Sequence, residues 1–222
     1  MSWAGFAAVF AAFFLTHSIP VRPAIKARLT ARLGARGFGI LYSLLSLAML
    51  TLLIWAAGRA PYVELWPQMP WHRHVVQLGM LAVCLILGFS IGRPNPLSFG
   101  GARNDSFDPA RPGIVGWVRH PILLALALWA GLHLLPNGDL AHVILFGVLG
   151  AFAVAGGRLI DRRRQREMGL ARWQALRQAI ATAPRFGATA TPAAILIRLG
   201  LGVALFAVLL WAHPAVIGVS AL

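Results

Sequence analysis

The thickness of a lipid bilayer is the constraint that shapes this chain. Five apolar runs approach or exceed the ~17–25 residues that cross a membrane as helix, and a sixth is a little short. They fall near 3–20, 38–57, 74–92, 119–136, 140–158 and 194–213, with 119–136 the marginal one. Lipid cannot hydrogen-bond an unpaired backbone group, so spanning segments must be helices or a closed barrel. Runs of this length predict an all-α, polytopic membrane bundle of about six transmembrane helices. Charged residues make up only 12% of the chain, against about 25% in soluble proteins. Residues 1–16 carry no charge, so the first run lacks the basic segment of a signal peptide and reads as a retained span. Cys84, the only cysteine, lies inside the third run, which excludes an intramolecular disulfide and a cysteine metal cage.

A net charge of +14 invites a nucleic-acid reading, but its distribution points elsewhere. Arg22, Lys26, Arg28, Arg32 and Arg36 fall in the first connection, and Arg93, Arg103, Arg111 and Arg119 in the third. The fifth adds Arg158, Arg162, Arg163, Arg164, Arg166, Arg172, Arg177 and Arg185. That places 17 of the 20 basic residues on one side, with Arg59 and Arg73 on the other and Arg198 near the inner end of the last run. The positive-inside rule makes the rich side cytoplasmic, so both termini are expected in the periplasm of a bacterial inner membrane. Anionic membrane lipid is the expected counter-charge. No nucleic-acid-binding motif accompanies the charge, so no nucleic-acid partner is expected.

Gly34, Gly37 and Gly39 separate the basic first connection from the second span, and Pro61, Pro67 and Pro70 break the outer one. The loop 93–118 holds little that could be helix and is placed over the inner face of the bundle. Residues 159–183 read as a surface helix in the headgroup region, with Leu170, Trp173, Leu176 and Ile180 as its apolar stripe. The domain reading is a membrane domain over 1–187 and an appended transmembrane helix over 188–222. Glycines 147, 150, 156 and 157, with 200 and 202, read as helix-packing residues.

Chemistry is sought among the histidines. His133 is flanked by Leu132, Leu134 and Leu135 inside an apolar helix, where its ring must face protein, water or a ligand. A helix-to-helix hydrogen bond and a cofactor ligand both satisfy that demand. Several histidines in one small bundle favour a ligand, because imidazoles from two helices commonly hold haem iron. His17 ends the first apolar run, and His120 opens the fourth, where Pro121 suits the first turn of a helix. His72, His74, His142 and His213 stand at outer boundaries, as interfacial polar residues do; His74 and His142 could also support a site from behind. The six acidic residues all fall in loops or at span ends, so no carboxylate metal cluster or acidic proton relay is expected. No Ser-His-Asp pattern and no phosphate-binding glycine loop is legible.

A resemblance emerges from these residues. Phe14-Leu15-Thr16-His17-Ser18, Ala35-Arg36-Gly37-Phe38-Gly39, Asn95-Pro96, Arg111-Pro112 and Arg119-His120-Pro121 carry it, with residues 129–147 the most specific part. A tail around Trp173 and Pro184-Arg185-Phe186 agrees. The chain resembles the NnrU family of bacterial membrane proteins associated with denitrification, over roughly residues 5–187. More distantly it is similar to the zeta-carotene isomerases of the same superfamily. The resemblance implies haem b, with His17 and His133 as axial ligands and metal-binding residues. His74 and His120 match further histidines of the isomerase branch, and Arg119 is a candidate propionate partner, as is Arg73. His17 and His133 differ in expected depth by on the order of 10 Å, so pairings of His17 with His120, or His74 with His133, stay open. The late histidine of the isomerases is replaced by an apolar stretch around Phe152, which bears on isomerase activity more than on haem. If the chain is catalytic, haem-dependent cis–trans isomerisation of a polyene is the leading class, with a hydrophobic small molecule as partner.

Two other classes share these motifs. Arg-His-Pro before a span also resembles membrane methyltransferases of the isoprenylcysteine and phospholipid type, yet the acidic pair those enzymes carry is replaced by Gly-Gly-Arg-Leu-Ile-Asp-Arg. A non-enzymatic assembly or electron-supply factor for a nitrogen-oxide reductase system would use the same histidines.

Overall fold

The structure is a computed structural model that describes residues 1–184 and 191–219. The described residues include seven α-helices and no strand. They are α1 (Trp3–Ser18), α2 (Pro23–Ala57), α3 (Pro70–Ser90), α4 (Pro121–Leu134), α5 (Leu140–Met168), α6 (Leu170–Thr182) and α7 (Pro192–Ile217). Four of them, α2, α3, α5 and α7, are long and apolar enough to cross a membrane. Their surfaces demand one: Leu78 is 72% exposed and Trp211 83%, which water would not tolerate over whole helices.

The expectation of about six spans is met by four helices of spanning length, and the other two apolar runs form the shorter helices α1 and α4. With 16 and 14 residues, α1 and α4 rise only about 24 and 21 Å, less than the ~30 Å hydrocarbon core. Helix α4 is the run already marginal in sequence. It begins only at Pro121, because the residue before a proline is barred from helical geometry and His120 takes φ −118°.

The chain divides into two compact units, residues 1–67 with 138–145, and 68–137 with 146–222. In the first, α1 packs on α2, with Phe6 and Phe13 buried and the Tyr42 hydroxyl donating to the His17 carbonyl at 3.0 Å. The first connection is helical rather than a loop, since α2 already starts at Pro23. Gly34, at φ 70° and ψ 163°, interrupts it, so a basic helical segment precedes the apolar one. Residues 63–66 meet the start of α5 through backbone bonds from Leu65 to Gly138 and from Leu140 to Val63. A Cβ on Gly138 would sit 2.0 Å from the Trp66 carbonyl oxygen, so only glycine fits.

The second unit is built on α3. Its glycines let neighbours close in: Cβ atoms on Gly79 and Gly88 would lie 2.4 Å from Leu132 of α4 and 2.8 Å from the Arg198 carbonyl of α7. Proline opens α3, α4 and α7 where a missing N–H costs nothing, and the Thr191 hydroxyl caps α7 by accepting from Ala194 N–H.

The surface helix expected over 159–183 is divided. Residues up to Met168 continue α5, and Gly169 at φ 83° turns the chain into α6. The stripe of α6 also faces protein rather than headgroups. Trp173 and Ile180 are buried with Leu97 and Val115 of the 93–118 loop, and Leu176 packs beside them, while Leu170 remains exposed. Burying an indole removes roughly 150–250 Å² from water, about 4–6 kcal/mol at 25 cal per Å². The loop itself holds two 3₁₀ turns, Asn104–Ser106 and Gly113–Gly116.

Candidate functional site

Within the second unit, polar side chains converge where the 93–118 loop, the start of α4 and the middle of α5 meet. Asn95 is buried; its Oδ1 accepts from Leu97 N–H at 3.1 Å and its Nδ2 donates to the Arg119 carbonyl at 3.1 Å. This stitches the loop to the Arg119-His120-Pro121 segment. Ser98, 1% exposed, places its hydroxyl 3.0 Å from His120 Nδ1, and its carbonyl accepts from Arg164 at 2.7 Å. On the other side of the ring, Asp161 of α5 meets His120 Nε2 at 3.1 Å and accepts from Arg119 Nη2 at 2.7 Å. Gly157, one turn earlier on α5, makes room: a Cβ there would stand 3.2 Å from His120 Cδ2.

His120 Nε2 is asked to do two incompatible things. Arg119 Nε–H points a donor at it from 3.1 Å, while Asp161 Oδ1 offers an acceptor. A protonated Nε2 satisfies Asp161 and opposes Arg119; a bare Nε2 does the reverse. The Ser98 hydroxyl adapts to either choice, because it can donate or accept. The cluster therefore has two arrangements of one proton between Ser98 and Asp161, with Arg119 biasing them. Burial holds the His120 imidazole below its ordinary value; Asp161 pulls the other way, and Arg119 adds to the lowering. His120 is accordingly neutral near pH 7.

Sequence reading found no Ser-His-Asp pattern, and the structure corrects this. Ser98, His120 and Asp161 are 22 and 41 residues apart and meet only through the fold. Asp161, read as a span-end acid, is the member that was missed. A signal is present in the sequence: Asp161 lies at the basic end of the fifth apolar run, the same membrane face as Arg119-His120, and a carboxylate there is drawn to a cation.

The other expected site residues take separate places. His17, in the first unit, has Nδ1 at 3.0 Å from the Phe13 carbonyl and stacks on the Phe13 ring. His133, in the second, has Nδ1 at 2.8 Å from the Trp129 carbonyl and packs against Trp129 and Phe146. A neutral ring that donates Nδ1–H to a carbonyl keeps a bare Nε2, the tautomer a metal requires. His120 has no free ring nitrogen in this arrangement, and Arg119 is already engaged. His72 Nδ1 accepts from Met69 N–H and closes the start of α3. His74 is exposed. Arg185 and Phe186 lie outside the described residues. Among the described residues no three His, Cys, Asp or Glu side chains converge as a metal site; haem asks for two at most.

Apolar helices with a polar cluster sealed by a loop at their ends define a helical integral-membrane protein. The chain belongs to the NnrU protein family, whose pattern it matches over residues 5–221. The match takes in α7, which the sequence motifs alone left outside. No curated protein and no solved structure matches it.

Proposed function

We propose that this NnrU-family protein is a haem b carrier of the bacterial inner membrane serving nitrogen-oxide metabolism. His17 and His133 are its axial imidazoles, and both termini are periplasmic. One observation carries the reading: each ring commits Nδ1 to the carbonyl four residues back and keeps Nε2 bare. That bond fixes ring orientation and raises the basicity of the free nitrogen. Phe13 beside His17, and Trp129 with Phe146 beside His133, give each ring an apolar wall that limits water. Haem, when bound, supplies the redox or Lewis-acid chemistry of its iron. The isomerase role is less favoured, since the late histidine of that branch is missing around Phe152.

The visible spectrum of protein purified in detergent from haem-replete cells tests this. A Soret band of bis-imidazole character is expected, lost or converted in His17→Ala and in His133→Ala and retained in His74→Ala. A folded but colourless wild type refutes haem binding. Haem that survives His17→Ala but not His120→Ala refutes the ligand pair.

A further inference from the structure

A separate cavity of about 260 Å³ opens in the 93–118 loop, lined among others by Arg93, Arg103, Ser106, Asp108 and Arg111. The loop backbone assembles it. Ala102 N–H donates to the Arg93 carbonyl at 3.1 Å, and Asn95 N–H donates to Asn104 Oδ1 at 2.9 Å. Gly101 permits that closure, because a Cβ there would lie 2.8 Å from Asn95 N. The clamp brings Arg93 and Arg103, ten residues apart, to line one cavity. Arg103 is held at φ 54°, the only non-glycine residue at positive φ among those described. Strained backbone of this kind persists where the surroundings, or a ligand, over-determine it.

Charge in the cavity is unbalanced. Asp108 is its only acid; it is salt-bridged to Arg111 at 2.7 Å and also accepts from Ala110 N–H at 2.9 Å. The Arg111 guanidinium above all, and the Ala110 N–H, hold its carboxyl below the usual range, so it stays ionised. Arg93 and Arg103 have no ion-pair partner among the described residues. Arg198, which caps the end of α3 through the Gly88 and Ile91 carbonyls, feels both of them as like charges. Two spare guanidiniums beside a third cation match the tetrahedral oxygens of a phosphate; the Ser106 hydroxyl is committed to the Arg103 carbonyl at 2.8 Å and helps hold that residue in place. The volume is below the ~300–1,000 Å³ of sites for drug-sized ligands. It suits a phosphate with a small substituent rather than a nucleotide.

We infer that the Arg93–Arg103–Arg111 cavity binds a phosphate group, presented by an anionic lipid headgroup or by a small soluble phosphate. The site is independent of the haem reading and stands or falls separately from it. Purified full-length protein in phosphatidylcholine nanodiscs is titrated with inorganic phosphate in one arm and with phosphatidic acid incorporated in the other. Binding and thermal stabilisation are read out. Saturable binding by one probe is expected and names the source; binding should weaken about tenfold for each guanidinium lost. The variants are Arg93→Gln and Arg103→Gln, with Arg162→Gln as a control of equal charge loss at an exposed position. Arg103→Gly should weaken binding while raising ligand-free stability, which separates lost recognition from lost folding. Absence of saturable binding in both arms overturns the proposal. Equal binding by the cavity variants, or an equal loss in the control, also overturns it.

Discussion

Removing the Asp161 carboxylate should loosen the second unit at one defined point. In Asp161→Ala, Arg119 loses its 2.7 Å ion pair and His120 loses the acceptor facing Nε2. Arg119 is 33% exposed and can recover water, so its share is screened, whereas His120 at 11% cannot fully do so. The expected cost lies between the ~0–1 kcal/mol of a surface pair and the ~3–5 kcal/mol of a broken buried one, roughly 2 kcal/mol. For a chain of this size that lowers the apparent unfolding midpoint by about 4–8 °C. Thermal unfolding in detergent, followed by intrinsic tryptophan fluorescence, provides the measurement. His120→Ala in the same background separates coupling from simple destabilisation. If the residues act as a unit, the double variant loses less than the two singles summed, by about 0.5–3 kcal/mol. Strict additivity of the two losses would refute the reasoning, because the cluster would then contribute no shared energy.

Acidification should destabilise the wild type through His120. Its folded-state value is below the ordinary 6.5, so the contribution is present above that value and is lost as pH falls through the lowered one. A midpoint that falls as pH drops below the ordinary histidine value, with the fall flattened in His120→Gln, is the expected result. Gly138→Ala should be more damaging than most surface glycine substitutions, since its Cβ would meet the Trp66 carbonyl at 2.0 Å; lower yield of folded protein by size-exclusion chromatography reports it. A single cysteine introduced within residues 100–106 of the loop should resist an impermeant maleimide applied to intact cells and react after lysis. Labelling from the periplasmic side would invert the proposed topology.

Much of the architecture is written in composition and spacing. Apolar runs of membrane length leave helices as their solution, and Pro121 and Pro192 mark starts by dihedral preference alone, whereas the break at Gly169 was not read from the sequence. The shared Nδ1–carbonyl geometry of His17 and His133 is also local, since it spans one helical turn. The partners of α6 were not legible. Its stripe is equally suited to lipid or to protein, and only folding of the 93–118 loop placed Leu97 and Val115 against Trp173 and Ile180. The Ser98–His120–Asp161 cluster and the Arg93–Arg103 cavity were hidden for a related reason. Hydrophobic periodicity encodes which face of a helix avoids water, but not which distant polar groups meet. That meeting is set by loop closure and interhelical distance, both of which arise only when the chain packs.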